Sequence, residues 1–244
     1  MAEGPGGLAL IDRSQHELVL FDLDGVITPT ADLHRAAWAE LFAVYGFTDR
    51  DYLTFIDGRS RYDGVRAFLA SREVDLPEGQ PDDAPGDGTV CALGNRKDAV
   101  FRERLDRGGV AAYTDAANLI DRLDASGVAS AVVSSSRNAR AVLSAAGLLE
   151  RFEVIVDGVV IEAEGIPGKP HPEPFLLAAR RSGASPARTI VVEDAESGVA
   201  AGAAGGFGLV VGVDRVGARD TLLAAGADVV VESLYEVTVN GATT

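Results

Sequence analysis

Four carboxylates and one hydroxyl stand at the ends of apolar runs that are rich in strand-forming residues. Asp22 and Asp24 end the run at residues 17–23, Ser134 follows residues 128–133, and Glu193 and Asp194 follow residues 189–192. Ligands of open parallel sheets bind beyond the carboxyl ends of the strands, so we expect these side chains to converge there. Buried carboxylates need a cation or hydrogen bonds. Hard oxygen donors without Cys or His pairs favour Mg²⁺ over Zn²⁺ at this edge.

The elements that would position these side chains alternate along the second half of the chain. The sequence predicts helices at residues 114–126, 137–146, 174–182 and 195–204, and strands at residues 128–133, 154–156, 189–192, 209–213 and 228–231. Alternating strands and helices form right-handed crossovers, which produce a parallel sheet covered on both faces. The predicted fold class is therefore α/β, with a doubly wound, Rossmann-like core.

Three helices without an intervening strand separate the first predicted strand from the rest. Apolar residues recur at helical spacing over residues 32–45, 62–72 and 96–107. Residues 73–95 contain six acidic residues, three prolines and no Lys or Arg, so we predict an irregular, solvated loop there. We expect a small α-helical cap domain at residues 32–108, and a core domain formed by residues 1–31 and 109–244.

The composition limits the classes of partner. The 244 residues carry a net charge of -15, with 22 basic and 37 acidic side chains. Such a chain repels nucleic acids and anionic membranes, so we expect neither as a partner, and a phosphate ligand needs a local cluster of positive charge. Lys97 and Lys169 are the only lysines. With a single cysteine, Cys91, and neither a signal peptide nor a long apolar run, we expect a cytoplasmic protein. We also expect a monomer.

Four segments resemble, in order, the four motifs of the haloacid dehalogenase superfamily. They are FDLDGVITPT at residues 21–30, Ser134, Lys169 within GKPHPEPF, and VVEDAESGVAAG at residues 191–202. The resemblance implies that Asp22 is a nucleophile that forms an aspartyl phosphate and that Asp24 is the general acid/base. The phosphate would be bound by Lys169 and Ser134. The resemblance also implies a Mg²⁺ cofactor, held by Asp22, the carbonyl oxygen of Asp24, Glu193 and Asp194.

The helical insert resembles the β-phosphoglucomutase-like family of that superfamily. By this resemblance Thr30 and His34 serve the acid/base Asp24, and Trp38 lines the sugar site. The remaining substrate-binding residues that the resemblance implies fall in three short segments: Gly58, Arg59, Ser60 and Arg61 in a specificity loop, Lys97 in the insert, and Ser135, Ser136, Arg137 and Asn138 after Ser134. Arg61 would contact the phosphate that is not being transferred.

Two positions depart from that family's pattern. Pro29 stands where Asp is common, and Asp98 stands where Asn is expected. A carboxylate at residue 98 would repel a bound phosphate unless Lys97 or Arg61 masks its charge.

Simpler structural roles remain open for three residues of the insert. Trp38 fits a position in the apolar core of the insert, His34 fits a helix surface or hinge, and Arg61 fits a solvated helix start.

The resemblance implies a β-phosphoglucomutase, which interconverts β-D-glucose 1-phosphate and D-glucose 6-phosphate and is primed by glucose 1,6-bisphosphate. A sugar with two phosphates requires basic groups at both ends of the cleft. Lys169 and Ser134 would serve the core end, and Arg61 and Lys97 the cap end. A Mg²⁺-dependent sugar-phosphate phosphatase needs only the core end and is the alternative. A non-enzymatic binding protein is a third hypothesis, which the complete set of motif residues disfavours.

Overall fold

A six-stranded parallel sheet forms the centre of the computed structural model, which describes residues 10–240. The strands of the chain are β1 (Leu10–Asp12), β2 (Leu18–Phe21), β3 (Ala129–Val133), β4 (Ile155–Val156), β5 (Thr189–Glu193), β6 (Leu209–Val213), β7 (Val229–Val231) and β8 (Thr238–Asn240). The large sheet has the order β4-β3-β2-β5-β6-β7. The chain therefore winds outward from β2 in both directions, which leaves a crevice at the ends of β2, β3 and β5. The predicted α/β, doubly wound fold is confirmed.

The helices of the chain cover both faces of this sheet. The four helices that come first along the chain belong to the helical insert. Those outside it are α5 (Thr114–Ser126), α6 (Ala139–Ala145), α7 (Gly158–Glu164), α8 (Glu173–Arg181), α9 (Glu196–Ala204) and α10 (Arg219–Ala225). Val19 and Phe21 of β2 belong to one apolar cluster, and Leu18 and Leu20 belong to another. Because side chains alternate across a strand, these clusters lie on opposite faces, which is why the strand is apolar throughout.

The insert contains four helices, α1 (Thr30–Leu41), α2 (Asp49–Asp51), α3 (Arg61–Ser71) and α4 (Val90–Gly108), and a π-helical turn at Tyr52–Ile56. Its apolar side chains form a cluster of their own, which includes Trp38, Phe42, Tyr52, Phe68 and Leu93. The helices α1 and α4 also reach the larger core, where Phe101 is fully buried. The division into a core domain (1–31 and 109–244) and a cap domain (32–108) stays a prediction, and we call residues 32–108 the helical insert.

Several elements differ from the sequence-based predictions. Helix α4 begins at Val90 because Thr89 caps it, accepting a hydrogen bond from the amide of Ala92 at 2.9 Å, so the predicted irregular loop is wrong for residues 90–95. The short helices α2, α7 and α10, with three, seven and seven residues, were not predicted. Strands β1 and β8 were also missed; they pair with each other in a separate two-stranded sheet.

Two linkers join the insert to the sheet, and they touch each other. The amide of Tyr113, in the returning linker, donates a hydrogen bond of 2.8 Å to the carbonyl oxygen of Ile27 in the outgoing one.

No helix between residues 10 and 240 is long and apolar enough to cross a membrane.

Candidate active site

The carboxyl ends of β2, β3 and β5 bring the motif residues together. Phe21 lies in register with Val132 on one side and Val192 on the other, and the amide of Asp22 continues the ladder by donating to Val192 at 2.9 Å. Asp22 and Glu193 therefore lie at one level of the sheet, and Ser134 lies one residue further along, directly after β3. The predicted convergence of side chains at this edge is present in the structure.

Lys169 lies beneath this edge and is almost inaccessible to solvent. Its ammonium group donates to Asp22 Oδ1 at 2.6 Å, to Glu193 Oε1 at 2.6 Å and to the carbonyl oxygen of Val133 at 3.0 Å. Burial alone would lower the pKa of Lys169, but the two carboxylates outweigh it and raise the pKa above its usual value. The side chain is therefore a permanent positive charge beside the oxygen of Asp22.

Asp24 is held by residues from both parts of the molecule. The hydroxyl of Thr30 donates to Oδ1, Nε2 of His34 lies 3.3 Å from the same oxygen, and Ser134 Oγ donates to Oδ2 at 3.3 Å. Burial would raise the pKa of Asp24, but His34, Thr30 and Lys97 together lower it to about 2. The carboxylate is thus ionised and oriented towards the cavity before a ligand binds.

Lys97 and His34 form a buried contact behind Asp24. The Lys97 ammonium contacts Nδ1 of His34, and it lies 5.2 Å from the ring centre of Trp38 and 5.0 Å from that of Phe101. Burial lowers the pKa of Lys97 to about 7, and the negative charges of Asp24 and Asp98 offset this effect only in part. Trp38 packs in the insert's apolar cluster and also lines the cavity, so its position fits both roles that the sequence left open, and its contact with a sugar stays a prediction.

The specificity loop meets the sheet at Gly58. Ser135 Oγ donates to the Gly58 carbonyl oxygen at 2.7 Å, and Ser197 Oγ donates to the carbonyl oxygen of Asp57 at 3.2 Å. Gly58 has a φ of +70°, and a Cβ atom there would lie 1.8 Å from Ser197 Oγ. This position therefore requires glycine for both conformation and space.

The other residues of the specificity loop point in different directions. Arg59 and Arg61 line the cavity at the strand ends. Ser60 instead caps α3, where its hydroxyl accepts the amide proton of Asp63 at 3.3 Å.

A cluster of four polar side chains joins the insert to the sheet at the far end of the cavity. Arg61 Nη1 lies 3.2 Å from Asp98 Oδ2, and Arg102 Nε lies 3.2 Å from the same oxygen. Asn138, which follows β3, donates to Asp98 Oδ1 at 2.5 Å and accepts from Arg102 Nε at 2.8 Å. The charge of Asp98 is therefore masked by Arg61, as the sequence argument required, and Arg102 adds a second cation.

One cavity of about 80 Å³ contains most of the site residues that the sequence singled out. The singled-out residues that line it are Asp22, Asp24, His34, Trp38, Gly58, Arg59, Arg61, Lys97, Ser135, Ser136, Arg137, Asn138, Glu193 and Asp194. Thr30, Ser134 and Lys169 lie behind this lining and contact its carboxylates. A larger cavity of about 240 Å³ shares Arg61, Ser135 and Arg137 with it and holds Ser60, but none of the strand-end carboxylates line it.

Among the polar residues of the cavity, sequence reasoning missed Asp57 and Tyr52. Burial, followed by repulsion from Glu193, raises the pKa of Asp57 to about 6. Asp57 directly precedes the Gly58 loop, and this adjacency was the available signal. Tyr52 had no signal, because it lies in a π-helical turn that the sequence did not predict.

The acidic side chains fit a hard cation, although they do not form a ready-made cage. Between residues 10 and 240, no three His, Cys, Asp or Glu side chains are grouped as a metal centre. Glu193 is engaged by Lys169 and by the amide of Ala195 at 2.9 Å. Asp194 accepts no hydrogen bond from any described residue, and burial, with repulsion from Glu193 and Asp22, raises its pKa well above the usual value. An oxygen-binding cation would relieve this repulsion.

Glycines leave room around the same carboxylates. A Cβ atom on Gly25 would lie 1.9 Å from Asp194 Oδ2, and one on Gly198 would lie 1.7 Å from Glu193 Oε1. Asp22, the carbonyl oxygen of Asp24, Glu193 and Asp194 stay the predicted ligands of Mg²⁺, and Glu193 is also engaged by Lys169.

Known proteins resemble this chain over nearly its whole length. The model of the haloacid dehalogenase-like hydrolase family matches residues 16–206. The β-phosphoglucomutase of Mycobacterium bovis is 43% identical over 236 residues, covering 89% of this chain and 90% of that protein. Hexitol phosphatase A of Escherichia coli is 30% identical and covers 90% of this chain and 92% of that protein.

Solved structures agree in fold. A β-phosphoglucomutase from Clostridium difficile matches with a TM-score of 0.75 and 24% identity, over 91% of this chain and 93% of its own. A variant of CbbY from Rhodobacter sphaeroides in complex with xylulose-(1,5)bisphosphate matches with a TM-score of 0.73 and 24% identity, over 94% of this chain and 100% of its own. Together with the family match and the full-length relatives, these findings show that the chain belongs to the β-phosphoglucomutase-like family of haloacid dehalogenase-like hydrolases.

Proposed function

We propose that the protein is a Mg²⁺-dependent β-phosphoglucomutase, which interconverts β-D-glucose 1-phosphate and D-glucose 6-phosphate. The observation that carries this proposal is the presence of basic groups at both ends of one cavity. Lys169 lies at the core end beside Asp22, and Arg61 and Lys97 lie at the insert end. A sugar with a phosphate at each end needs both sets of charges. The 43% identity to a β-phosphoglucomutase supports the same substrate class.

In the proposed reaction Asp22 receives the phosphoryl group. A carboxylate oxygen of Asp22 attacks the phosphorus atom of glucose 1,6-bisphosphate, the bond from phosphorus to the sugar oxygen breaks, and an aspartyl phosphate remains. Lys169 and Ser134 stabilise the charge on the phosphoryl oxygens. Bound Mg²⁺ would neutralise the same oxygens. When the phosphate on C1 is transferred, glucose 6-phosphate leaves. The 6-hydroxyl of β-D-glucose 1-phosphate then attacks the phosphorus atom, the bond to Asp22 breaks, and glucose 1,6-bisphosphate forms again.

Asp24 would move the protons of both steps. In the first step it gives a proton to the departing sugar oxygen, and in the second it takes the proton of the attacking hydroxyl. Thr30 and His34 hold its Oδ1, so its position does not depend on the substrate. A phosphate close to Asp24 would raise its pKa from the value of about 2 in the free protein, which makes protonation possible.

A sugar-phosphate phosphatase is the second candidate, because Asp98 offsets the charge of Arg61 at the insert end. In that case water would replace the sugar hydroxyl as the group that attacks the phosphorylated Asp22. The full-length similarity to hexitol phosphatase A supports this candidate.

A product assay separates the two candidates. The protein is supplied with β-glucose 1-phosphate, Mg²⁺ and catalytic glucose 1,6-bisphosphate, and glucose 6-phosphate and inorganic phosphate are both measured. We expect glucose 6-phosphate to form with little inorganic phosphate. Stoichiometric inorganic phosphate without glucose 6-phosphate would refute the mutase proposal. Asp22→Asn should abolish both products, and this variant controls for contaminating activities.

A further inference from the structure

Asp98 lines the cavity from the insert end, although it was not among the substrate-binding residues suggested by the sequence. Its side chain is only 15% exposed. Both carboxylate oxygens are engaged: Oδ2 faces Arg61 and Arg102 at 3.2 Å each, and Oδ1 accepts from Asn138 at 2.5 Å. The carboxylate thus occupies the centre of a donor set that could equally receive an external anion.

Asp98 offsets the positive charge of Arg61 at this end of the cavity. Arg61 is 14% exposed and its closest ionic partner is Asp98, whereas Arg102 is 60% exposed and its pairing is largely screened by water. Lys97 has a pKa lowered by burial to about 7, so it carries only part of a charge at neutral pH. Without Asp98, the insert end would present an unpaired guanidinium to the cavity.

Three groups that contact Asp98 also suit a phosphate. Guanidinium groups bind carboxylates and phosphates through the same planar set of donors, and the amide of Asn138 adds a neutral donor. An anion that enters the insert end must share Arg61 with Asp98 or displace the carboxylate. Two anions in contact with one cation repel each other strongly in a partly buried site.

We propose that Asp98 is a specificity-determining residue that acts as a built-in competitor for the non-transferring phosphate of the substrate. It holds Arg61 and Asn138 in place, and it weakens the hold of the insert end on a second phosphate. This inference rests on the proposed function, because it assumes a phosphosugar in the cavity. A bisphosphate that is bound less tightly at this end is released more readily. It can then rebind in the opposite orientation, which is the step that a mutase repeats in each cycle.

Ligand binding can be measured without turnover, because Trp38 is the only tryptophan and lines the cavity. We would titrate glucose 1,6-bisphosphate with Mg²⁺ against Asp22→Asn and against Asp22→Asn combined with Asp98→Asn, following Trp38 fluorescence. Asp106→Asn is the matched control, since it removes one exposed carboxylate from the same helix. We expect Asp98→Asn to tighten binding about tenfold, the control to change nothing, and added salt to reduce the difference.

The rival interpretation is that Asp98 only supports Arg61, in which case its substitution weakens binding. Weaker or unchanged binding in Asp98→Asn would therefore overturn the inference. A second measurement in the protein with Asp22 intact should agree: Asp98→Asn should lower the KM of glucose 6-phosphate by a larger factor than that of 4-nitrophenyl phosphate, which has no second phosphate.

The two proposals fail separately. Tighter binding without any formation of glucose 6-phosphate would refute the mutase proposal and keep the inference about Asp98. Mutase activity with unchanged binding would refute the inference alone. Absence of bisphosphate binding in both variants would refute both.

Discussion

Arg215 and Asp115 form a two-pronged ion pair at the base of the linkers between sheet and insert. Arg215 Nη1 lies 2.8 Å from Asp115 Oδ2, and Nη2 lies 3.1 Å from Oδ1. The guanidinium group also stacks at 4.1 Å on the ring of Tyr113 and reaches the carbonyl oxygen of Gly25 at 3.4 Å. The pair therefore ties the loop that follows Asp22 to the start of α5.

Substitution of Asp115 should destabilise the protein at neutral pH. Asp115→Asn leaves Arg215 partly buried without its counter-charge, and we expect the free energy of unfolding at pH 7 to fall by about 3 kcal/mol in urea denaturation. Asp121→Asn is the control, because it removes an exposed carboxylate from the same helix, where the loss should stay below about 1 kcal/mol. Equal effects of the two substitutions would contradict the structural role of the pair.

The effect of Asp115→Asn should depend on pH. Burial would raise the pKa of Asp115, but hydrogen bonds from Arg215, Ser233 and Leu234 outweigh it and lower the pKa below 3.8. Because the folded state then holds the proton less tightly than the unfolded state, the contribution of Asp115 is complete above about pH 4. It is lost as the pH falls through the lower, folded-state pKa. The stability difference between wild type and Asp115→Asn should shrink correspondingly in acid.

Substitution of Lys97 should lower the activity of the protein and raise its stability. Its pKa of about 7, against 10.5 in the unfolded chain, shows that the fold opposes its charge. Lys97→Met should therefore raise the free energy of unfolding at pH 7 by about 2 kcal/mol. This gain is smaller than the pKa shift alone implies, because the substitution also removes the attraction between Lys97 and Asp24. Turnover of sugar phosphates should fall. Arg96→Met, at an exposed neighbouring position, should change stability by less than about 1 kcal/mol.

The pH profile gives the Lys97 prediction a distinct signature. Between pH 7 and pH 10.5 the unfolded chain binds more protons at Lys97 than the folded chain, so wild-type stability rises with pH there. The gain from Lys97→Met should accordingly be greatest below pH 7 and vanish towards pH 10.5. A gain that grows with pH, or a loss of stability at pH 7, would show that Lys97 stabilises the fold as a cation.

Substitution of Arg61 should separate sugar substrates from small phosphate donors. Arg61→Ala removes the guanidinium at the insert end, so we expect kcat/KM for β-glucose 1-phosphate to fall about 30-fold, the value of one charge-assisted hydrogen bond. Phosphorylation of Asp22 by acetyl phosphate, which does not reach this end, should be unchanged. Arg66→Ala, five residues further along α3 and paired with Asp63, is the control. Equal loss with both donors would exclude Arg61 as the contact of the second phosphate.

A methyl group at Gly58 should hinder the approach of insert and sheet. Gly58→Ala places a Cβ atom 1.8 Å from Ser197 Oγ, and we expect the KM for sugar phosphates to rise at least about tenfold. Gly46→Ala is the control, since Gly46 has a similar φ of +66° but no atom within 4 Å of a Cβ. Ser197→Ala should partly restore Gly58→Ala, because the nearest remaining atom would lie at 3.2 Å. Identical defects in the two glycine variants would show that backbone strain alone, and not the contact with Ser197, causes the effect.

Local sequence was sufficient to predict the reacting edge of the sheet. The apolar run before Asp22 and the run before Glu193 become β2 and β5, which lie side by side and fully buried. Every residue of the two strands is buried and all but Thr189 and Glu193 are apolar, which is the pattern of strands covered on both faces. Ser134, at the end of β3, followed from the same argument.

Other features depended on contacts between distant segments. Strand β1 consists of three residues and is stable only because β8, at the opposite end of the chain, pairs with it. The start of α4 at Val90 has a local cause, the cap supplied by Thr89, but this cap lies inside a stretch whose prolines and glycines predicted a loop.

The sequence by itself determined the fold class, the strand-end carboxylates and the family of the protein, because strand periodicity and motif order are local properties of the chain. The tertiary structure alone decided how charge is distributed across the cavity. Lys97 and Lys169 are both buried, yet the pKa of Lys97 is lowered and that of Lys169 is raised. The reason is physical: Lys169 makes direct ion pairs with two carboxylates, whereas Lys97 contacts His34 between aromatic rings. Such differences arise only when distant segments pack together.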